Sequence, residues 1–234
     1  SNIIVNAHKV KDGLPLKLDN SKTSDFFFMK EPDDMMSLII SLITSRIPNA
    51  FNYGFEDIQV LTPMKKNEIG TVNLNNEIQK AVNPVGDEVK HGFVTYRVGD
   101  KVIQNINDYD KEVFNGDSGY ILKINQEDKK LYVRYDDKDV EYSFPELDEI
   151  NLAYAMTIHK SQGSEYPVVI IPITYANRIM MERNLLYTAV TRAKKICIIV
   201  GPKTMIDKAI ANESSYKRKT KLDKKIAMLS SQIF

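Results

Sequence analysis

The side chains best suited to chemistry lie in two stretches, residues 151–166 (NLAYAMTIHKSQGSEY) and residues 183–195 (RNLLYTAVTRAKK). In the first, His159, Lys160, Ser161, Gln162, Gly163 and Ser164 form an unbroken non-apolar run between apolar flanks. An imidazole, an ammonium and hydroxyls beside the free N–H groups of a short helix make a surface for phosphate, either of a nucleotide or of a nucleic-acid backbone. The ordinary alternatives are a helix cap and a hydrogen-bonded core histidine. Glu165 could bond a ribose hydroxyl or simply be a surface carboxylate. In the second stretch Leu185, Leu186, Ala189 and Val190 make the buried face of a helix and leave Thr188 and Arg192, four residues apart, on another. A planar, permanently charged guanidinium beside a strand end is what phosphoryl transfer uses to stabilise charge at a γ-phosphate. The alternative is a solvated cation at a helix C-terminus, alongside Lys194 and Lys195.

One cation does not make a triphosphate site. A phosphate loop requires Gly-Lys followed by Ser or Thr, because its backbone N–H groups cradle the phosphates while the lysine and hydroxyl serve the γ-phosphate and Mg²⁺. None of the ten glycines is followed by lysine, and no strand ends in paired carboxylates that would hold Mg²⁺. If this chain handles ATP, it supplies half of a site. His8, His91 and His159 have no Cys or His neighbours at ligand spacing, so no metal site is expected.

The elements that position these residues follow from hydrophobic periodicity. Residues 152–158 read as a strand, followed by a short polar helix closed by Gly163 and a fully buried strand at 168–173 (VVIIPI), which sets His159, Lys160 and Gln162 at a sheet edge. Upstream, residues 25–30 (DFFFMK) suit a central strand. Glu31-Pro32-Asp33-Asp34 then starts a helix that runs to about Arg46, with Met35, Leu38, Ile39, Leu42 and Ile43 on its apolar face. A strand at 57–64, a polar turn at 65–70 and a helix at 71–82, stopped by Asn83-Pro84, repeat the pattern. Downstream come the helix at 183–195, a strand at 196–201, a helical segment at 205–210 and a basic run at 214–225 (Lys217, Arg218, Lys219, Lys221, Lys224, Lys225). Strand–helix alternation implies a parallel sheet with covering helices.

Residues 93–150 differ in character, with short strand-like pieces separated by turn signals such as Asn115-Gly116-Asp117. They carry 8 Lys and Arg against 14 Asp and Glu, a net −6, whereas the rest of the chain carries +7. This is a small acidic all-β insert, close to the lower size for independent folding. The whole chain, 234 residues with 43% hydrophobic and a net charge of +1, can bury a substantial core, and any polyanion contact on it must be local. No apolar run reaches the ~18 residues that span a bilayer, and residues 1–11 lack a secretory plan, so no membrane partner is expected. The single cysteine, Cys197, excludes an intrachain disulfide and fits a buried role in a reducing cytoplasm. Ser1-Asn2 has no evident structural logic and reads as a tag-cleavage scar on an excised piece of a longer protein.

AYAMTIHKSQGSEYPVVIIP closely resembles motif V of superfamily 1 DNA helicases, and NLLYTAVTRAK resembles their motif VI. IQVLTPMKKNEIGTVNLNNEIQ resembles a segment of the second RecA-like domain of RecD-like helicases, and the three occur in family order. Members carry a small SH3-like barrel where this chain has its acidic insert. The resemblance therefore implies an α/β fold: a RecA-like parallel sheet with flanking helices (domain 2A, residues 1–91 and 151–234) interrupted by a small SH3-like β-barrel (domain 2B, residues 92–150).

The same resemblance implies roles. Arg192 would be the arginine finger. Thr157, His159, Lys160 and Ser161 would contact single-stranded DNA and relay the nucleotide state, with Gln162 and Gly163 shaping the turn beside the nucleotide and Glu165 near its sugar. Lys65 and Lys66 would meet DNA phosphates, and residues 109–117 would close over the strand through Tyr109 and Asn115. Phe114 is expected to pack inside the barrel rather than stack on a base. The implied activity is ATP-dependent 5′-to-3′ movement on DNA by a bacterial, cytoplasmic monomer acting in repair or recombination. ATP and Mg²⁺ would be shared with an upstream RecA-like domain of the same protein, which would carry the Mg²⁺ ligands. Alone, this chain is expected to be inactive. The rival is a non-catalytic nucleic-acid or protein-binding module, which the acidic insert suits better than it suits DNA binding.

Overall fold

A computed structural model describes residues 1–178 and 180–212; the basic run at 214–225 lies outside them. In chain order the elements are α1 (Asn2–Lys11), β1 (Phe26–Lys30), α2 (Met35–Ser41), α3 (Ile47–Phe51), β2 (Ile58–Thr62) and α4 (Thr71–Val82). Then come β3 (Glu88–His91), β4 (Val94–Arg97), β5 (Lys101–Gln104), β6 (Ser118–Asn125), β7 (Lys130–Tyr135) and β8 (Lys138–Ser143). The last are β9 (Ile150–Leu152), β10 (Ala155–Thr157), β11 (Tyr166–Pro172), α5 (Arg183–Val190), β12 (Ala193–Gly201) and α6 (Lys203–Ala211).

Five of the strands form an all-parallel sheet in the order β1-β12-β11-β2-β10. Its two faces are written in the period-two alternation of the strands. Val168 and Ile170 of β11, with Ile196, Ile198 and Val200 of β12, pack under α2, α3 and α4. Val169, Ile171, Cys197 and Ile199 point the other way, against α1, α5 and α6. Both faces are covered, as a parallel sheet requires. The strands expected near 25–30, 57–64, 168–173 and 196–201 and the helix at 71–82 are therefore present, and Cys197 is buried and free.

The remaining strands form an antiparallel sheet, β8-β7-β6-β5-β9, and a separate hairpin, β3-β4. The run 94–105 (VTYRVGDKVIQN), read as one strand-like piece, is two strands divided by a turn, and the first belongs to the hairpin that opens at Glu88. No described helix is long and apolar enough to cross a membrane.

Four expectations are corrected. Residues 152–158 are not one strand: β9 pairs antiparallel with β5, while β10 pairs parallel with β2, so the chain changes sheets at Ala153-Tyr154. Buried polar side chains hold that change. Asn75 of α4 brackets it by donating to the Leu152 and Ala155 carbonyls (3.1 and 2.9 Å) and accepting from Ala155 N–H (2.8 Å), while Gln59 donates to the carbonyls of Ala153 and Tyr154. Buried Asp100 accepts from Gln79, Asn83, Tyr154 and the Arg97 N–H, joining α4 to the antiparallel unit. Because both strands are apolar and buried, periodicity could not reveal the break.

The helix read as 183–195 stops at Val190, where Thr191 and Arg192 N–H groups close its last turn on Tyr187 and Ala189, and Ala193 already pairs with Tyr166. Lys194 and Lys195 are consequently strand residues. The upstream helix instead runs past Arg46, through a π turn at Leu42–Arg46 into α3. Finally, Ser1 and Asn2 have clear structural roles: Ser1 caps α1, and the Ser1 hydroxyl and Asn2 N–H both donate to Asp25 ahead of β1.

Candidate functional site

β10 and β11 flank β2 in the sheet, so the segment joining them must cross it. The crossing starts with a 3-10 turn at Ile158–Ser161, capped by the Thr157 hydroxyl, which accepts from Lys160 N–H (3.4 Å). Ile158 is buried on the α5 face. Ser161 is fully buried and its hydroxyl donates to the Ile158 carbonyl (2.7 Å), so it shapes the turn and does not face solvent. The chain then bends at Gly163, whose φ of +88° is strained for any other residue, and reaches β11 through exposed Glu165.

At the start of this crossing lies a groove of about 610 Å³ between the parallel sheet and the antiparallel unit. Of the residues expected to meet DNA, Lys65, Asn115, Thr157, His159 and Lys160 line it. Lys66, Tyr109 and Ser161 do not. Lys65 follows the end of β2 in a turn whose carbonyls are tied to α4: Thr71 and Val72 N–H groups bond the carbonyls of Met64 and Lys65. The first N–H groups of α4 are thus already used and are not a phosphate cradle. Lys160 donates to the Asn105 side chain. Its pKa is lowered from the usual lysine value, first by burial and second by the charge of Lys65. Among the described residues neither lysine is paired with a carboxylate. Two ammoniums in one groove lining, with no carboxylate partner among the described residues, favour an anion there.

Sequence reasoning missed Asn105, Asn76 and Phe93 in this lining. Asn105 gave no signal, but an aromatic residue directly after Gly92 at a turn was a usable one. The loop 105–117 also behaves differently from expectation. Lys111 anchors it through Asp108, Glu146 and Glu149 (2.7–3.2 Å). Phe114, expected inside the barrel, is 44% exposed and meets Tyr109 edge-on, 5.9 Å between centroids. Tyr109 itself is 75% exposed and lies outside the groove lining.

At the far end of the crossing stands Arg192, in the two-residue turn between α5 and β12. Three of its five N–H groups are used: Nε donates to the Thr188 carbonyl (3.1 Å), Nη1 to the Ser164 carbonyl (3.0 Å) and Nη2 to the Thr191 hydroxyl (3.1 Å). Its own carbonyl accepts from Tyr166 N–H (2.8 Å). Exposed Gln162, Gly163 and Glu165 surround Ser164 in sequence, and Glu165 pairs with Lys194 (3.4 Å) rather than standing free. Among the described residues no group of three or more His, Cys, Asp and Glu side chains could hold a metal ion.

Residues 74–135 match the ATP-dependent RecD-like DNA helicase SH3 domain, and residues 152–200 match the UvrD-like helicase C-terminal domain. The chain thus carries a RecD-like helicase SH3 domain followed by a UvrD-like helicase C-terminal domain. It is 42% identical over 137 residues to the ATP-dependent RecD2 DNA helicase of Deinococcus radiodurans, covering 58% of this chain and 19% of that protein. It is 33% identical over 122 residues to the RecBCD enzyme subunit RecD of Mycobacterium tuberculosis, covering 52% and 21%. The chain therefore spans only a small part of the length of these relatives. Among solved structures, Bacteroides Pif1 helicase in complex with ADP-AlF3 and ssDNA shares the fold with a TM-score of 0.56 at 18% identity, over 98% of this chain and 54% of that one. Candida albicans Pif1 gives 0.53 at 16%, over 98% and 58%.

Proposed function

We propose that this chain is the C-terminal motor portion of an ATP-dependent 5′-to-3′ DNA helicase, with residues 1–91 and 151–234 as domain 2A and residues 92–150 as domain 2B. Single-stranded DNA would lie in the groove, its phosphates against Lys65, Thr157, His159 and Lys160, with Asn115 reaching over from the insert. Lys66 and Tyr109 would meet DNA only outside the groove, and Ser161 would act through the shape of the turn. Arg192 would complete an ATP site whose phosphate loop and Mg²⁺ ligands belong to a preceding RecA-like domain. The protein would work as a monomer in the bacterial cytoplasm.

The observation that carries this reading is the continuity of the 157–166 crossing: one end lines the cationic groove and the other holds Arg192 through Ser164. Nη1 and Nη2 each keep a second N–H for a phosphate oxygen, so a γ-phosphate bound there would pull on the same guanidinium that holds the Ser164 carbonyl. Through Ser164 that pull would reach the segment that begins at Thr157, which would give nucleotide state a physical route to the DNA contacts. A guanidinium placed on developing phosphoryl charge is worth about 10³-fold or more in rate.

A second reading, a binding module whose acidic insert docks a protein, is favoured by the −6 charge of residues 93–150. The two separate in the chain joined to its preceding domain. DNA-stimulated ATP hydrolysis that disappears in Arg192→Ala supports the motor, and undiminished hydrolysis in that variant removes the arginine's role. The chain by itself is expected to hydrolyse no ATP.

A further inference from the structure

We propose that Phe93 is a base-stacking platform for single-stranded DNA, an inference that rests on the groove being the DNA site. Phe93 is fully exposed, at 105% of its reference surface, although it is a residue type ordinarily found inside. It sits with Gly92 in the two-residue turn of the β3-β4 hairpin, where Gly92 takes a φ of +57° that lets the strands reverse tightly. The turn holds Phe93 over the groove, in one lining with Lys65 and Lys160.

The hairpin beneath Phe93 is fixed at many points, so the ring is presented rather than loosely tethered. Tyr96 is buried and donates to the Ile150 carbonyl (2.9 Å), Arg97 pairs with Glu88 across the strands (2.8 Å), and His91 pairs with Asp148 (2.8 Å). Gln79 of α4 donates to the Thr95 carbonyl and Gln126 to that of Glu88 (2.8 and 2.7 Å). A phenyl exposed on a fixed turn, in one lining with two ammoniums that have no carboxylate partner among the described residues, suits what an unpaired strand presents together: open base faces and a line of phosphates. A duplex keeps its base faces stacked inside and could use only the lysines. Stacking also tolerates any base, which suits a protein that must move along DNA regardless of sequence.

The test compares oligo(dT) with an abasic oligomer of equal length, which keeps the phosphates and lacks the bases. Wild-type chain is expected to prefer oligo(dT). Phe93→Ala should weaken oligo(dT) binding about tenfold, leave abasic binding unchanged and keep the salt dependence, because the lysines still neutralise the same phosphates. Phe93→Trp should restore the preference and, as the sole tryptophan in a chain that has none, be quenched by oligo(dT) but not by the abasic oligomer. Phe93→Ala binding oligo(dT) like wild type, while Lys65→Ala/Lys160→Ala weakens both oligomers, would overturn the stacking role and leave the groove standing. Unchanged binding in both variants would overturn the groove itself and the stacking role with it.

Discussion

The two ends of the 157–166 crossing hold cations in opposite states. At the groove end, Lys65 and Lys160 repel each other, and burial and that repulsion together lower the pKa of Lys160. At the other end, Arg192 has a partner for each of its three nitrogens within 3.1 Å. The first arrangement is a standing demand for an anion. The second is held in place by protein acceptors, with two N–H groups left to donate. The proposed motor would use this asymmetry, with the groove as its track and Arg192 as its nucleotide contact.

The largest effect separating the ends should come from Arg192→Ala. In the chain joined to its preceding domain, steady-state ATP hydrolysis should fall about 10³-fold or more, with little change in oligo(dT) affinity. Equal losses of both would show that the ends are not distinct. Next is the clamp just ahead of the crossing. Asn75→Ala removes three hydrogen bonds to buried backbone at the change of sheets and should cost about 2–3 kcal/mol, read as a lower denaturation midpoint with an unchanged m-value.

Lys101 probes the arginine end by pH. It is buried on β5, 5.6 Å from the ring centroid of Tyr166, and burial lowers its pKa to about 8. With the folded value below the unfolded one, the unfolded chain binds more protons between the two. Stability from this group is therefore present above the unfolded pKa and lost as pH falls through about 8. Lys101→Met should stabilise the protein by about 2 kcal/mol at pH 7, a gain that shrinks as the pH approaches the unfolded lysine value. A pH-independent gain would mean that the lysine is not charged against its surroundings. The smallest effect is Ser161→Ala, which should cost about 1 kcal/mol of stability and leave the salt dependence of DNA binding intact, dividing the residue that shapes the turn from the lysine beside it.

Much of the fold was legible because parallel strands are short apolar runs and their helices carry one apolar face. Residues 57–64, 71–82 and 196–201 stood out on that ground alone. The break at Ala153-Tyr154 did not, since a strand leaving one buried sheet for another stays apolar throughout. Arg192 was legible as a chemical group but not as a parked one: its Ser164 partner is 28 residues away, and nothing in linear spacing reports a backbone carbonyl as acceptor. Ser161 was assigned outward from its polarity, whereas its hydroxyl turns inward to its own turn. Phe114 was assigned inward from its apolarity, yet the loop pinned by Lys111 holds it out. The groove escaped as a whole because Lys65, Phe93, Asn105 and Lys160 come from four separate segments.

The most direct test of the groove is a titration of the chain with oligo(dT) across a range of salt concentrations, wild type beside Lys65→Ala/Lys160→Ala. If the two lysines hold phosphates, the variant should bind more weakly at low salt, and the slope of log K against log salt should shrink by about 0.7 for each phosphate no longer neutralised. Identical slopes and affinities would contradict the account, placing any DNA contact elsewhere on the protein.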